Sequence, residues 1–245
     1  MDKSDEQQQE EELRFFATPP RPCSYLDDHT AISVFADPDA TLSPSIYSQL
    51  ARFGFRRSGG DLYVPACPGC SECVPVRIPV NRFRRSRNQQ KLWNRNRDIE
   101  WEVHDPVFDP QQFELYRNYL GARHPGGGMD NPTEDDYQHF LSCDWCDTSF
   151  LVGKLGNRPV IVAVTDILND ALSSAYTFFD PALARRSLGT LGILHQIELA
   201  AAMKSQWLYL GYWIEGSEKM RYKRRFQPLE AYREGRWQLM QTSFS

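Results

Sequence analysis

Hydrophobic patterning is clearest in the second half of the chain. Leu188, Leu191, Leu194, Ile197 and Ala201 recur at three- and four-residue spacing, which predicts a helix from Leu188 to Lys204. Apolar runs at Ser149–Lys154, Pro159–Ile167, Ser173–Phe179 and Trp207–Tyr212 read as strands. Gln111–Leu120 and Glu134–Leu141 read as amphipathic helices, joined by His124–Asp130 (HPGGGMD), a loop too glycine-rich to be regular. Ser217–Arg225 predicts a last, basic helix. The first half is less periodic. Short strands are expected at Ala31–Phe35, Asp61–Val64, Val74–Val80 and Ile99–His104. A helix opens at Ser43-Pro44 and runs to about Phe53, and a polar, basic one spans Arg84–Asn96.

From Ile99 onward the order is β-α-α-β-β-β-α-β-α, which resembles the GNAT-type N-acetyltransferase fold. The fold class expected is therefore α+β, with a GNAT-like C-terminal domain over 106–245. A smaller α+β N-terminal domain spans 14–105; both halves share a strand–strand–helix–strand order, as two related half-folds would. In such folds the loop before the central helix holds a pyrophosphate on backbone amides. Here it reads Arg186-Ser187-Leu188-Gly189-Thr190-Leu191-Gly192. Leu191 stands where a small residue belongs, so the loop suits another phosphate better than acetyl-CoA, and equally a plain helix-start turn.

The chain has 245 residues, enough for a sizeable core, and no apolar window long enough for a membrane helix. A cytoplasmic protein is expected. Its formal charge of -4 conceals an uneven distribution, because residues 1–13 hold six acids against one base, and a disordered tail is expected there. The remainder carries a net charge near +1, with its bases clustered. A nucleic-acid partner is compatible with that distribution.

The clusters define the candidate chemistry. Arg82, Arg84, Arg85, Arg87, Lys91, Arg95 and Arg97 place seven bases in sixteen positions, interleaved with Asn88, Gln89, Gln90 and Trp93. That composition suits a helix that tracks phosphates and stacks a base on Trp93, and equally a solvated basic face. Lys219, Arg221, Lys223, Arg224 and Arg225 lie among Trp213, Tyr222 and Phe226 and admit the same two readings. Cys67-Pro-Gly-Cys70-Ser-Glu-Cys73 sits on a Pro/Gly turn where three sulfurs can converge, with Cys23 as the natural fourth ligand for zinc or an iron–sulfur cluster. The bland alternative is small packing residues in a tight turn. Cys143 and Cys146 read as core thiols, and His195 as structural. Arg77, mid-strand among apolar neighbours, needs an anion: an internal carboxylate or that of a ligand.

Several separated motifs together resemble one family. They are CSYL at Cys23–Leu26, CPGCSECVPVRIPV at Cys67–Val80, YTFFDP at Tyr176–Pro181, RSLG at Arg186–Gly189 and LYLGYWIEGSEKMRYKRRFQPLE at Leu208–Glu230. This set resembles the aminoacyl-tRNA–protein transferases, in particular the bacterial aspartate/glutamate leucyltransferase branch related to the arginyl enzymes. The resemblance implies transfer of leucine from leucyl-tRNA to the N-terminal α-amine of proteins that begin with Asp or Glu, creating a degradation signal. It implies no cofactor for the transfer, and neither DNA nor a membrane as partner. Arg84, Arg85, Arg87, Lys91, Trp93, Arg95, Arg186, Ser187, Leu188, Gly189, Arg221 and Lys223 would then hold tRNA. Arg77 and Lys219 would bind the acidic acceptor, and Tyr176, Asp180 and Tyr222 would serve the chemistry. The eukaryotic relatives imply a metal group on Cys23, Cys67, Cys70 and Cys73. Competing readings are arginyl-tRNA as donor, an acetyltransferase, and a metal-dependent RNA-binding or redox-sensing module without transfer.

Overall fold

The computed structural model describes residues 13–123 and 131–240. The acidic tail before Leu13 and the glycine-rich loop at 124–130 lie outside the described residues. Strands β1 (Phe15–Ala17), β2 (Arg21–Pro22), β3 (Thr30–Ala31) and β4 (Ser33–Ala36) lead to helix α1 (Pro44–Ala51). The Ser43 hydroxyl accepts from the Ile46 amide, and Pro44 occupies a helix-start position where no N–H is needed. Strands β5 (Arg56–Ser58), β6 (Asp61–Pro65) and β7 (Val74–Pro79) follow, then the basic helix α2 (Arg87–Arg95). A capping box starts α2: Ser86 Oγ accepts from the Gln89 amide, and the Gln89 side chain accepts from the Ser86 amide. β8 (Glu100–His104), α3 (Pro110–Arg123) and α4 (Glu134–Leu141) come next. The chain continues through β9 (Thr148–Leu155), β10 (Arg158–Ile167), β11 (Ala171–Phe179), α5 (Leu188–Ala202) and β12 (Trp207–Trp213). It ends with α6 (Glu218–Arg221) and the hairpin β13 (Glu230–Arg233) and β14 (Arg236–Leu239).

The architecture is mixed α/β, built on one large mixed sheet in the order β14-β13-β7-β12-β11-β10-β9-β8. Neighbours are antiparallel except β11 and β12, whose parallel pairing needs the crossover that α5 supplies. Period-two alternation sorts the residues of β10 to two faces. Val162 and Val164 pack with Leu115, Tyr116 and Leu120 of α3 and Tyr137 and Leu141 of α4. Ile161, from the other face, packs with Leu188 and Leu191 of α5. Fully burying such a side chain contributes about 1.5–3 kcal/mol. Close approach of α5 depends on Gly192, where an added Cβ would meet Ile161 at 3.0 Å.

β7 and β8, from the first half, sit in the same sheet as the strands that follow residue 106. A smaller sheet, β1-β4-β6-β5, is tied to the large one by a buried ion pair. Arg57 donates to both Asp166 oxygens at 2.6 and 3.0 Å and to the carbonyls of Gly59 and Leu141. Thr148 Oγ1 also donates to Asp166, so every charge in this cluster has its partner.

One expected element changes form. The helix predicted over Ser217–Arg225 is a single α turn followed by a 3-10 turn, Tyr222–Arg225. Three-residue periodicity there turns both Lys223 and Phe226 into the protein. The β13–β14 hairpin has no counterpart among the elements expected from the sequence. Its turn residues Glu234 and Gly235 both take positive φ, as a two-residue hairpin turn of this kind requires.

Candidate active site

The sheet opens between its two parallel strands. β11 and β12 pair only from Ala171–Trp207 to Ser173–Tyr209; beyond that the strands part, although β11 runs on to Phe179 and β12 to Trp213. An irregularity in the β10–β11 ladder, between Val164 and Thr165, marks the same level of the sheet. Two carbonyls on these departing strands are taken by cations. Arg56 Nη2 donates to Ser174 O at 2.6 Å, and Lys223 Nζ donates to Tyr212 O. Both side chains are buried. Gly211, at φ +75°, lies against Arg56; an added Cβ would stand 3.0 Å from the guanidinium carbon. Burial, and next the nearby Arg56, lower the Lys223 pKa to about 7. The tRNA-facing position expected of Lys223 is therefore corrected, because the 3-10 turn points it inward. Arg56 carries no signal in the sequence, since two adjacent arginines in a short run have neither period nor motif.

Tyrosines line the opening. Tyr176 stands half-buried on β11, edge-on to Tyr116, Tyr119 and Phe140. Burial raises the pKa of Tyr176 well above the usual phenol range and pushes that of Tyr222 up to about 12. Both phenols are therefore neutral donors near pH 7. Asp180 is committed elsewhere. Its Oδ1 accepts from the Ala182 amide and caps the 3-10 turn Pro181–Arg186, and Oδ2 pairs with Arg158 at 2.8 Å. That double engagement removes Asp180 from the proton-transfer role expected of it.

A groove of about 520 Å³ runs beside the start of α5. One wall is α2, through Asn88, Lys91 and Arg95; the other holds Ser187, Thr190 and Arg225. Arg84, Arg87, Lys91 and Arg95 are exposed, as are Arg221 and Lys219 on α6. Other expected members are differently placed. Trp93 has both ring faces filled, by His195 at 4.1 Å and the Arg85 guanidinium at 3.7 Å, so it cannot stack a base. Arg85 also pairs with Glu198 at 2.6 Å. His195 lies between Trp93 and Trp101, and burial lowers its pKa to about 3, a structural histidine as expected. Arg186 forms a bidentate pair with Asp98, both bonds 2.8 Å, and bonds Asn96 as well. Leu188 is buried in the core, and a Cβ at Gly189 would meet the Phe179 ring at 3.2 Å. These two residues serve helix–sheet packing; Ser187 is the exposed member of the motif.

Arg77 has an internal counter-charge. Its Nε donates to Glu230 at 2.7 Å, and its guanidinium lies 4.1 Å from the Trp207 ring and 4.2 Å from that of Trp237. With Glu230 in place, the acceptor role expected of Arg77 is filled by the protein itself. Cys23, Cys67, Cys70 and Cys73 are all free and half-buried. Burial, and next Cys67, Cys23 and Cys70, push the Cys73 thiol up to about 11. The four thiols thus share one neighbourhood, with Cys67 Sγ accepting from the Ile32 amide at 3.4 Å. Among the described residues, no three His, Cys, Asp or Glu side chains converge closely enough to hold a metal ion. No helix among them is long and apolar enough to cross a membrane.

The chain matches both halves of one family. Residues 21–91 match the family described as arginine-tRNA-protein transferase, N terminus, and residues 111–233 match its C terminus. The aspartate/glutamate leucyltransferase of Nitrosococcus oceani is 46% identical over 92% of this chain and 95% of its own length. That of Alcanivorax borkumensis is 44% identical over 92% of this chain and 93% of its own. Among solved structures, L-PGS from Bacillus licheniformis matches at 12% identity and a TM-score of 0.45, covering 68% of this chain. This chain spans 48% of that one.

Proposed function

The chain belongs to the arginine-tRNA-protein transferase family, and on that premise we propose that it moves leucine from leucyl-tRNA to the N-terminal α-amine of proteins beginning with Asp or Glu. The product is a degradation signal. One observation carries the donor half of this reading: a groove lies between the exposed bases of α2 and the start of α5, the helix that connects the parting strands β11 and β12. Lys91, Arg95 and Arg225 would neutralise tRNA phosphates there, and the Ser187 end of α5 would meet the 3′ terminus. A parallel strand pair that parts beyond a short ladder, bridged by a helix, also suits a GNAT-type acyltransferase. The segments on either side of residue 105 would then act as one catalytic unit.

The reaction asks little of the protein. A neutral amine nitrogen attacks the ester carbonyl carbon, a C–N bond forms, and the C–O bond to the ribose breaks. The amine proton ends on the ribose hydroxyl. An α-amine has a pKa of about 7.7–8.0, so roughly a tenth or more of it is already neutral and reactive at pH 7. Holding amine and ester together supplies roughly 7–11 kcal/mol. Tyr176 and Tyr222, as neutral phenols, fit the donor that the developing oxyanion needs. Cys23, Cys67, Cys70 and Cys73 do not converge as a metal site in this arrangement, so zinc or an iron–sulfur cluster would need their two turns to draw together, and no step of the transfer runs through such a group.

Leucyl-, arginyl- and phenylalanyl-tRNA labelled on the amino acid, offered with peptides beginning Asp, Glu, Lys or Ala, test the reading. Label is expected on Asp and Glu peptides from leucyl-tRNA alone. Label from arginyl-tRNA would change the donor, and no label from any tRNA would reject the transfer.

A further inference from the structure

Two consecutive arginines on β5 are treated differently. Arg57 is paired with Asp166 and bonded to two carbonyls. Arg56 is 8% exposed and has the Ser174 carbonyl as its only bonded partner among the described residues; its Nη1 is buried with none. Lys223, also 8% exposed, has the Tyr212 carbonyl. No carboxylate among the described residues pairs with either cation, while Arg57, Arg77 and Arg85 each have one. Two neighbouring buried cations without a counter-charge are costly, and natural structures remove that cost by pairing.

Their position indicates what completes the pair. Ser174 is the first residue of β11 beyond the last paired position, and Tyr212 lies on the other departing strand. Arg56 thus lies in the opening itself, against Ser174 of β11 and Gly211 of β12, and Lys223 holds the carbonyl of the next β12 residue. Around them stand phenols, which bring no charge near neutrality: Arg56 acts on Tyr63, Tyr212 and Tyr222, lowering pKa values that burial raises. Gly211 leaves the room that the guanidinium occupies. The site is cationic and ringed by tyrosines, and it lies where the sheet opens.

We propose that Arg56 and Lys223 bind the side-chain carboxylate of the acceptor's first residue and set the preference for Asp and Glu, an inference that rests on the transferase reading above. A carboxylate between them supplies the missing charge and accepts from Arg56 Nη1. An Asn or Gln side chain at the same place brings no charge and leaves the cations unpaired, which is the source of discrimination.

The test uses the full chain with Arg56→Met, Lys223→Met and Lys223→Arg. Leucyl transfer is measured on peptides beginning Asp, Glu, Asn or Gln, together with leucyl-tRNA binding and thermal denaturation. In both Met variants, KM for Asp and Glu peptides is expected to rise about 100-fold, the size expected for removing one partner of a buried charge pair. Leucyl-tRNA binding should stay within about twofold, because tRNA phosphates are held elsewhere. The Asp-over-Asn preference should collapse. Lys223→Met should be no less heat-stable than the wild type, and Lys223→Arg should keep the acidic preference. Unchanged discrimination, or a parallel loss of tRNA binding, overturns the proposal. So does failure of the Met variants to fold, which would make the cations structural struts. If the wild type transfers leucine to no peptide, the transferase reading fails separately. The pocket is then judged by binding: an Asp-initiated peptide must raise the wild-type Tm and its Asn twin must not.

Discussion

Lys223 shows how far its surroundings can shift a single side chain. Burial, and next Arg56, hold its pKa near 7, whereas an unfolded chain keeps the lysine proton until about pH 10.4. Between those values the unfolded state binds more protons, so stability rises with pH across the window. Below about pH 7 the lysine is protonated in both states and the penalty for burying it is complete. The shift corresponds to about 4–5 kcal/mol. Thermal denaturation of wild type and Lys223→Met between about pH 6 and 10 should therefore converge toward the alkaline end; parallel curves would refute the depressed pKa. Arg77 teaches the complementary lesson. Its need for an anion can be read from its apolar neighbours, but Glu230 is 153 positions away and nothing local announces it.

At the scale of elements, helix α2 is the more legible kind. Its start rests on Ser86 and Gln89, three residues apart, and its exposed bases follow from composition. The expected consequence is electrostatic. Replacing Lys91 and Arg95 by alanine should weaken tRNA binding for every sequence and reduce the slope of log K against log salt by about one for each phosphate no longer neutralised. Filter binding at several salt concentrations measures this; an unchanged slope would place the tRNA elsewhere. Trp93 lies on the same helix and departs from its expected stacking role, because its two faces are filled by Arg85 of the preceding turn and His195 of α5. The last basic segment departs for a related reason. A run of five bases looks like one surface, yet the 3-10 turn sends Lys223 into the core and leaves Arg221 and Arg225 outside.

Across the whole molecule, one sheet gathers strands from both halves of the chain, and the Arg57–Asp166 cluster locks the smaller sheet onto it. The boundary expected near residue 105 marks a change of pattern in the chain, while β7 and β8 pair across it. The cysteine turns are a second long-range link, joining Cys23 to the Cys67–Cys73 segment. If a metal completes that link, protein purified without chelator should contain zinc or iron, and Cys70→Ser should lose it. Chelation should lower Tm on the order of 5 °C. A metal-free wild type whose Tm ignores chelators would leave the thiols as packing residues.

Local order is readable from residues alone: the strands β9–β12, the long helix α5, the capped start of α1 and the motifs that mark the family. These depend on periodicity, caps and turns, which act over a few positions. The parting of β11 and β12 and the Glu230 partner of Arg77 are not readable in this way, nor is the meeting of Arg56 with Lys223. Each depends on which distant segments share a sheet or a core, and a charge acts on whatever the fold brings near it. The residue types in this site are visible in the chain, but their partners come from the packing.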